Sequence, residues 1–82
     1  MYPAKNLNVY PTLVHPEDLL TVKTSDGFFS GSNYLIKNES GRIIRKGTLC
    51  SNLIELKLRI IGMKTGVYYF ILGELQERFE IV

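Results

Sequence analysis

Eighty-two residues make a single small domain, and 45% hydrophobic content with seven Gly, three Pro and no Trp is the make-up of a compact β protein, not of a disordered tail. Ten Lys plus Arg against eight Asp plus Glu leave a net charge of +2, and the cations are scattered as Lys37, Arg42, Arg45, Lys46, Lys57 and Arg59, without the clustering that a nucleic-acid surface requires. The lone Cys50 excludes an internal disulfide and a multi-cysteine metal cage, and no run of about twenty apolar residues is present to cross a bilayer as a helix.

Residues 1–6, with Pro3, Lys5 and Asn6, read as the end of a linker, and residues 7–82 as the domain. The first residues lack the apolar centre of a signal peptide, so export would need an address supplied upstream. Residues 7–10 form a first strand, stopped by Pro11, which cannot donate to a ladder and holds Tyr10 extended. Residues 12–16 turn. Residues 18–24 alternate, with Leu20 and Val22 on one face and Thr21 and Lys23 on the other. Ser25-Asp26-Gly27 reads as a turn, because Asp and Gly both accept left-handed backbone, and residues 28–32 form a looser stretch.

Residues 33–39 and 42–48 read as a hairpin reversed at Ser40-Gly41. Within its second arm, alternation puts Arg45 on one face and Arg42 with Lys46 on the other, a solvated sheet face. Residues 53–60 set Ile54, Leu56, Leu58 and Ile60 against Glu55, Lys57 and Arg59. Residues 67–72 are apolar throughout, as in a central strand covered on both sides. Residues 75–82 fit a strand, and Leu75, Phe79 and Val82 also fit a helical stripe; their shortness favours the strand. The expected fold is all-β, a seven-stranded antiparallel immunoglobulin-like β-sandwich. Its predicted core is Leu20, Val22, Ile36, Ile54, Leu56, Val67, Tyr69 and Phe79. Unpaired edges predict concentration-dependent homodimerisation, with exchange of residues 76–82 as one route.

Nothing in the chain proposes a reaction. His15 lies in a loop without a second ligand at metal spacing, Glu17-Asp18 precedes a strand, and Ser25, Ser30 and Ser32 have no base placed for them. No phosphate-binding glycine loop occurs. The expectation is a binding module with no catalytic, metal or cofactor site.

Three short motifs remain: Tyr10-Pro11, Asn38-Glu39-Ser40-Gly41 with Gly47 after the next strand, and Gly66-Val67-Tyr68. Their order and spacing across residues 7–82 resemble the C-terminal sorting domains of the type IX secretion system. That family runs roughly Tyr-Pro-Asn-Pro, Asn-x-x-Gly, Gly-Val-Tyr. The resemblance implies an export label, recognised by an outer-membrane translocon and its shuttle protein and acted on by a cell-surface sortase. It also implies passage through the periplasm to the outer-membrane surface or beyond. Tyr10, Pro11, Asn38, Gly41, Gly47, Gly66, Val67 and Tyr68 are then the motif positions. Thr12 and Leu13 stand where the family has Asn and a second Pro, and the tail lacks the family's lysines; both fit a divergent or retained member. Each motif also has a structural reading. Tyr10-Pro11 can anchor a strand end, and Gly66, expected at positive φ, can admit the chain to a central strand. The alternative function is an immunoglobulin-like accessory or adhesion module that binds glycan or protein.

Overall fold

The computed structural model describes residues 7–82. Among them are eight strands and no helix: β1 (Leu7–Tyr10), β2 (Leu13–Val14), β3 (Leu19–Phe28), β4 (Asn33–Asn38), β5 (Ile43–Thr48), β6 (Leu53–Arg59), β7 (Gly66–Leu72) and β8 (Leu75–Ile81). The expected linker, residues 1–6, lies outside the described residues.

The strands form two sheets, of order β1-β3-β6 and β2-β8-β7-β4-β5. One contiguous core joins them, from Leu7, Val9, Leu20, Val22, Leu56 and Leu58 on the first sheet to Ile36, Tyr68, Phe70, Phe79 and Ile81 on the second. Loop residues Leu49, Ile60 and Met63 close its ends. The last segment is a strand, in the interior of the larger sheet, between β7 and β2.

The expected count of seven antiparallel strands is corrected by β2. Residues 12–16 do not simply turn, since Leu13 and Val14 run parallel to Glu80 and Ile81. The Glu80 N–H donates to the Thr12 carbonyl at 2.8 Å and the Val82 N–H to the Val14 carbonyl at 2.9 Å. Pro11 gives the reason for this separation: its missing N–H ends β1, and the chain resumes pairing on the opposite sheet.

Residues 25–27, expected to reverse the chain, lie inside β3. Lys23 faces Glu55, yet Phe28 faces Leu53, so five steps of β3 oppose two steps of β6. The excess is taken up around Gly27, whose φ of 74° favours glycine. The Thr24 hydroxyl ties the stretch down by donating to the Gly27 carbonyl at 2.6 Å. A β-carbon on Gly27 would sit 2.8 Å from the Leu53 carbonyl oxygen, so the two backbones need this glycine to approach. Phe28 thereby reaches the core, and Ile54, expected inside, is 83% exposed.

Val67 and Tyr69 are likewise corrected. The core takes Tyr68 and Phe70, whereas Val67 and Tyr69 lie half-buried on the outer face, which no second layer covers among the described residues. An all-apolar strand carries no alternation to choose a face by, and the choice is made by its neighbours, Tyr68 pairing with Phe79 and Phe70 with Ile36. Leu20, Val22, Ile36, Leu56 and Phe79 are buried as expected.

Candidate functional site

His15 and Cys50 lie at opposite ends of the sheets. His15 sits in an exposed turn closed by the Asp18 N–H donating to its carbonyl at 2.9 Å, while exposed Cys50 follows β5. Among the described residues no group of three or more His, Cys, Asp or Glu could hold a metal ion.

Two of the three sequence motifs adjoin, and β8 ties the third to them. Tyr10 ends β1, exposed by 42%, and is joined to Pro11 by a cis peptide bond. One residue on, the Thr12 carbonyl receives the Glu80 N–H. Glu80 and Ile81 pair in turn with Val67 and Gly66, and Tyr68 pairs with Asn38. The ladders thus set Gly66 to Tyr68 beside Asn38 at one end of the larger sheet, and β8 ties them to Thr12, next to Pro11.

Each turn there has a local cause. The Asn38 side-chain oxygen accepts the Ser40 N–H at 3.1 Å, the Ser40 hydroxyl at 2.8 Å and the Arg42 N–H at 2.9 Å. The Asn38 N–H donates to the Arg42 carbonyl at 2.9 Å, and Gly41, at φ 89°, completes the reversal. This is an Asx-type turn that Asn builds and Glu or Gln cannot, because one methylene more moves the acceptor out of reach. Gly66 adopts φ 146°, the positive value expected of it, and admits the chain to β7. The Tyr68 hydroxyl donates to the Lys64 carbonyl at 2.7 Å, stapling the loop before Gly66 to the strand after it. A shallow groove of about 450 Å³ runs between the two turns, floored by Asn38, Ser40, Lys64, Gly66 and Tyr68.

Gly47 belongs elsewhere. It faces Tyr34 across the β4–β5 ladder, and a β-carbon there would lie 2.6 Å from the Tyr34 ring. The glycine makes room for the ring, which stacks on Phe70 at 5.4 Å. A bulge follows in the same ladder, where Ile36 faces Arg45 but Lys37 faces Ile43, leaving Ile44 without an opposite residue. Simple alternation for Arg42 to Lys46 fails at that extra residue. The Arg45 guanidinium turns to donate to the Arg59 carbonyl of the other sheet.

No family model matches the chain, and no curated protein does so either.

Sequence reasoning missed a second feature. At the opposite end the sheets part around an open cleft of about 700 Å³ lined by Phe28, Phe29, Ser32, Asn33, Glu74 and Leu75 among others. Phe29 is 52% exposed there. The signal available was Phe28-Phe29 beside Ser30-Gly31-Ser32, an aromatic pair in a small-residue stretch, which the turn reading of residues 25–27 obscured.

Proposed function

We propose that this domain is a sorting label of the type IX secretion kind, an immunoglobulin-like two-sheet module that acts as the ligand of a transport machinery and catalyses nothing. The observation that supports the reading is the adjacency of the Asn38–Gly41 turn and Gly66-Val67-Tyr68 at one end of the larger sheet, which β8 ties to Thr12, the residue after Tyr10-Pro11. A recognition surface is most often carried by turns on a rigid scaffold. In this reading the machinery meets exposed Tyr10 and Pro11 and the Asn38 turn. Gly66 and Tyr68 hold the intervening loop in shape.

The experiment fuses residues 1–82 to the C-terminus of a reporter with an N-terminal signal peptide, in a cell that possesses type IX secretion. The intact fusion is expected on the cell surface. Deleting residues 76–82 removes an interior strand and is expected to strand the reporter in the periplasm. A finer variant, Tyr10→Ala, changes an exposed position outside the core and is expected to lower delivery while the domain still folds. Equal delivery of all three fusions overturns the reading.

The cleft at the other end favours one alternative, an accessory or adhesion module. Exposed Phe29 beside Ser32, Asn33 and Glu74 combines an apolar platform with polar groups, as a glycan or loop-binding site requires. Oligosaccharide binding lost in Phe29→Ala, with delivery of the reporter absent, would decide for that module.

A further inference from the structure

The free edges of the two sheets differ in kind. β1 and β6 border the smaller sheet, and β2 and β5 the larger. β1 has four residues and β2 two, and β5 carries the bulge together with Arg45 and Lys46. Short strands, bulges and like charges are devices that discourage a further strand from adding. β6 has none of the first two. It is seven residues long, it pairs regularly with β3 from Glu55 to Arg59, and it displays Ile54, the most exposed large hydrophobic side chain among the described residues.

Its charges are also arranged for self-recognition. Leu53-Ile54-Glu55-Leu56-Lys57-Leu58-Arg59 carries an acid and a base at equal distances on either side of Leu56. Glu55 and Lys57 already share the outer face, 3.8 Å apart, with Lys23 also 3.8 Å from Glu55.

We propose that the free edge of β6 is a docking surface for β6 of a second copy of this chain, antiparallel and centred on Leu56. A two-fold axis perpendicular to the sheet, midway between the two copies of Leu56, sets Glu55 of each copy opposite Lys57 of the other and Ile54 opposite Leu58. Two three-stranded sheets become one sheet of six strands. The competing registers fail on charge. Centring the axis on Glu55 opposes Glu55 with its own copy, and centring it on Lys57 opposes two lysines and sets its Glu55–Arg59 pairs at the end of the edge that Arg45 occupies; like charges directly across an antiparallel pair destabilise it. A shift by one residue joins the inner face of one sheet to the outer face of the other. Arg45 limits the length, because its bond to the Arg59 carbonyl occupies the end of the edge and leaves the stretch 54–58 that the Leu56-centred pairing uses. Ile54, left out of its own core, gains Leu58 of the second copy as a neighbour. No native strand has to be broken, whereas exchange of residues 76–82 would require β8 to leave both β7 and β2.

The test is sedimentation velocity of the 82-residue chain over a concentration series, for the wild type, Glu55→Lys, Lys57→Glu and an equimolar mixture of the two variants. The wild type is expected to dimerise with concentration. Each variant alone sets like charges across both symmetry-related pairs and is expected to weaken the dimer by about tenfold or more. The mixture sets opposite charges across both pairs again and is expected to recover association, a result that damaged folding cannot imitate. Ile54→Lys serves as a further variant whose side chain is outside the core, and it too is expected to weaken the dimer. A wild type that stays monomeric overturns the proposal. So does a mixture no stronger than its components, or a dimer indifferent to all three substitutions, which would point to exchange of the terminal strand.

Discussion

The two layers of this core are built from different side chains. The three-stranded sheet contributes mainly aliphatic groups, Leu7, Val9, Leu20, Val22, Leu56 and Leu58, with the single ring of Phe28 at one end, under an outer face laced by Lys23, Glu55 and Lys57. The five-stranded sheet contributes two ring stacks, Tyr34 on Phe70 and Tyr68 on Phe79 at 5.7 Å, beside aliphatic Val14, Ile36 and Ile81. Aliphatic groups can repack around a change, while a stacked ring needs both its partner and a space of its own shape. The motif turns all belong to the ring-bearing layer or to the strand end bonded to it. The layer to which the motif turns are joined is therefore also the less forgiving one.

Deleting a ring should break this asymmetry most visibly. Phe70→Ala empties a fully buried position and loses the stack with Tyr34, and is expected to cost about 3–5 kcal/mol. Val22→Ala, opposite in the aliphatic layer, removes far less volume. Denaturant unfolding of both variants measures the contrast, and equal losses would abolish it.

Gly47→Ala is expected to cost about 1–3 kcal/mol, because the new methyl group collides with the Tyr34 ring. In a Tyr34→Ala background that cost should largely vanish. The coupling in such a double-mutant cycle is the measurement, and independent, additive losses would sink the explanation of this glycine.

Smaller still is Asn38→Ala, expected to cost about 1 kcal/mol, since the three donors on its side-chain oxygen are exposed and water replaces it. Hydrogen exchange should quicken at the Ser40 and Arg42 amides first. Ile54→Ala closes the series: at an 83% exposed site the change in monomer stability should stay within about 0.5 kcal/mol.

The same contrast governs what could be read from the chain. Alternation exposed β3, β4 and most of β6, because their polar and apolar residues take turns and only one face can be inside. β7 offered no such contrast, and Tyr68 and Phe70 were selected as its inner residues only by Phe79 and Ile36 on neighbouring strands. Ile54 failed for a non-local reason. Whether it lies inside depends on how β3 crosses Gly27, and that irregularity resembles an ordinary turn in Ser25-Asp26-Gly27. β2 was invisible because two residues carry no period, and its existence depends on the far end of the chain. At the candidate site, the positive φ of Gly66 and the reversal at Ser40-Gly41 followed from residue chemistry, whereas Asn38 stood out only through the family resemblance. That Gly66 and the Asn38 turn adjoin each other is a property of the strand order.

The parallel ladder between β2 and β8 has a mechanical consequence. In parallel neighbours, a pull on the chain before Pro11 and an opposite pull on Val82 draw the two strands past each other lengthwise. The bonds from Glu80 to Thr12 and from Val82 to Val14 are then loaded in shear and must give way together, whereas peeling would open them one at a time. Rupture under load is governed by the unfolding barrier and not by equilibrium stability. A patch of two paired residues, negligible in the energy of folding, thus becomes the clasp that decides how much tension the domain transmits before it opens.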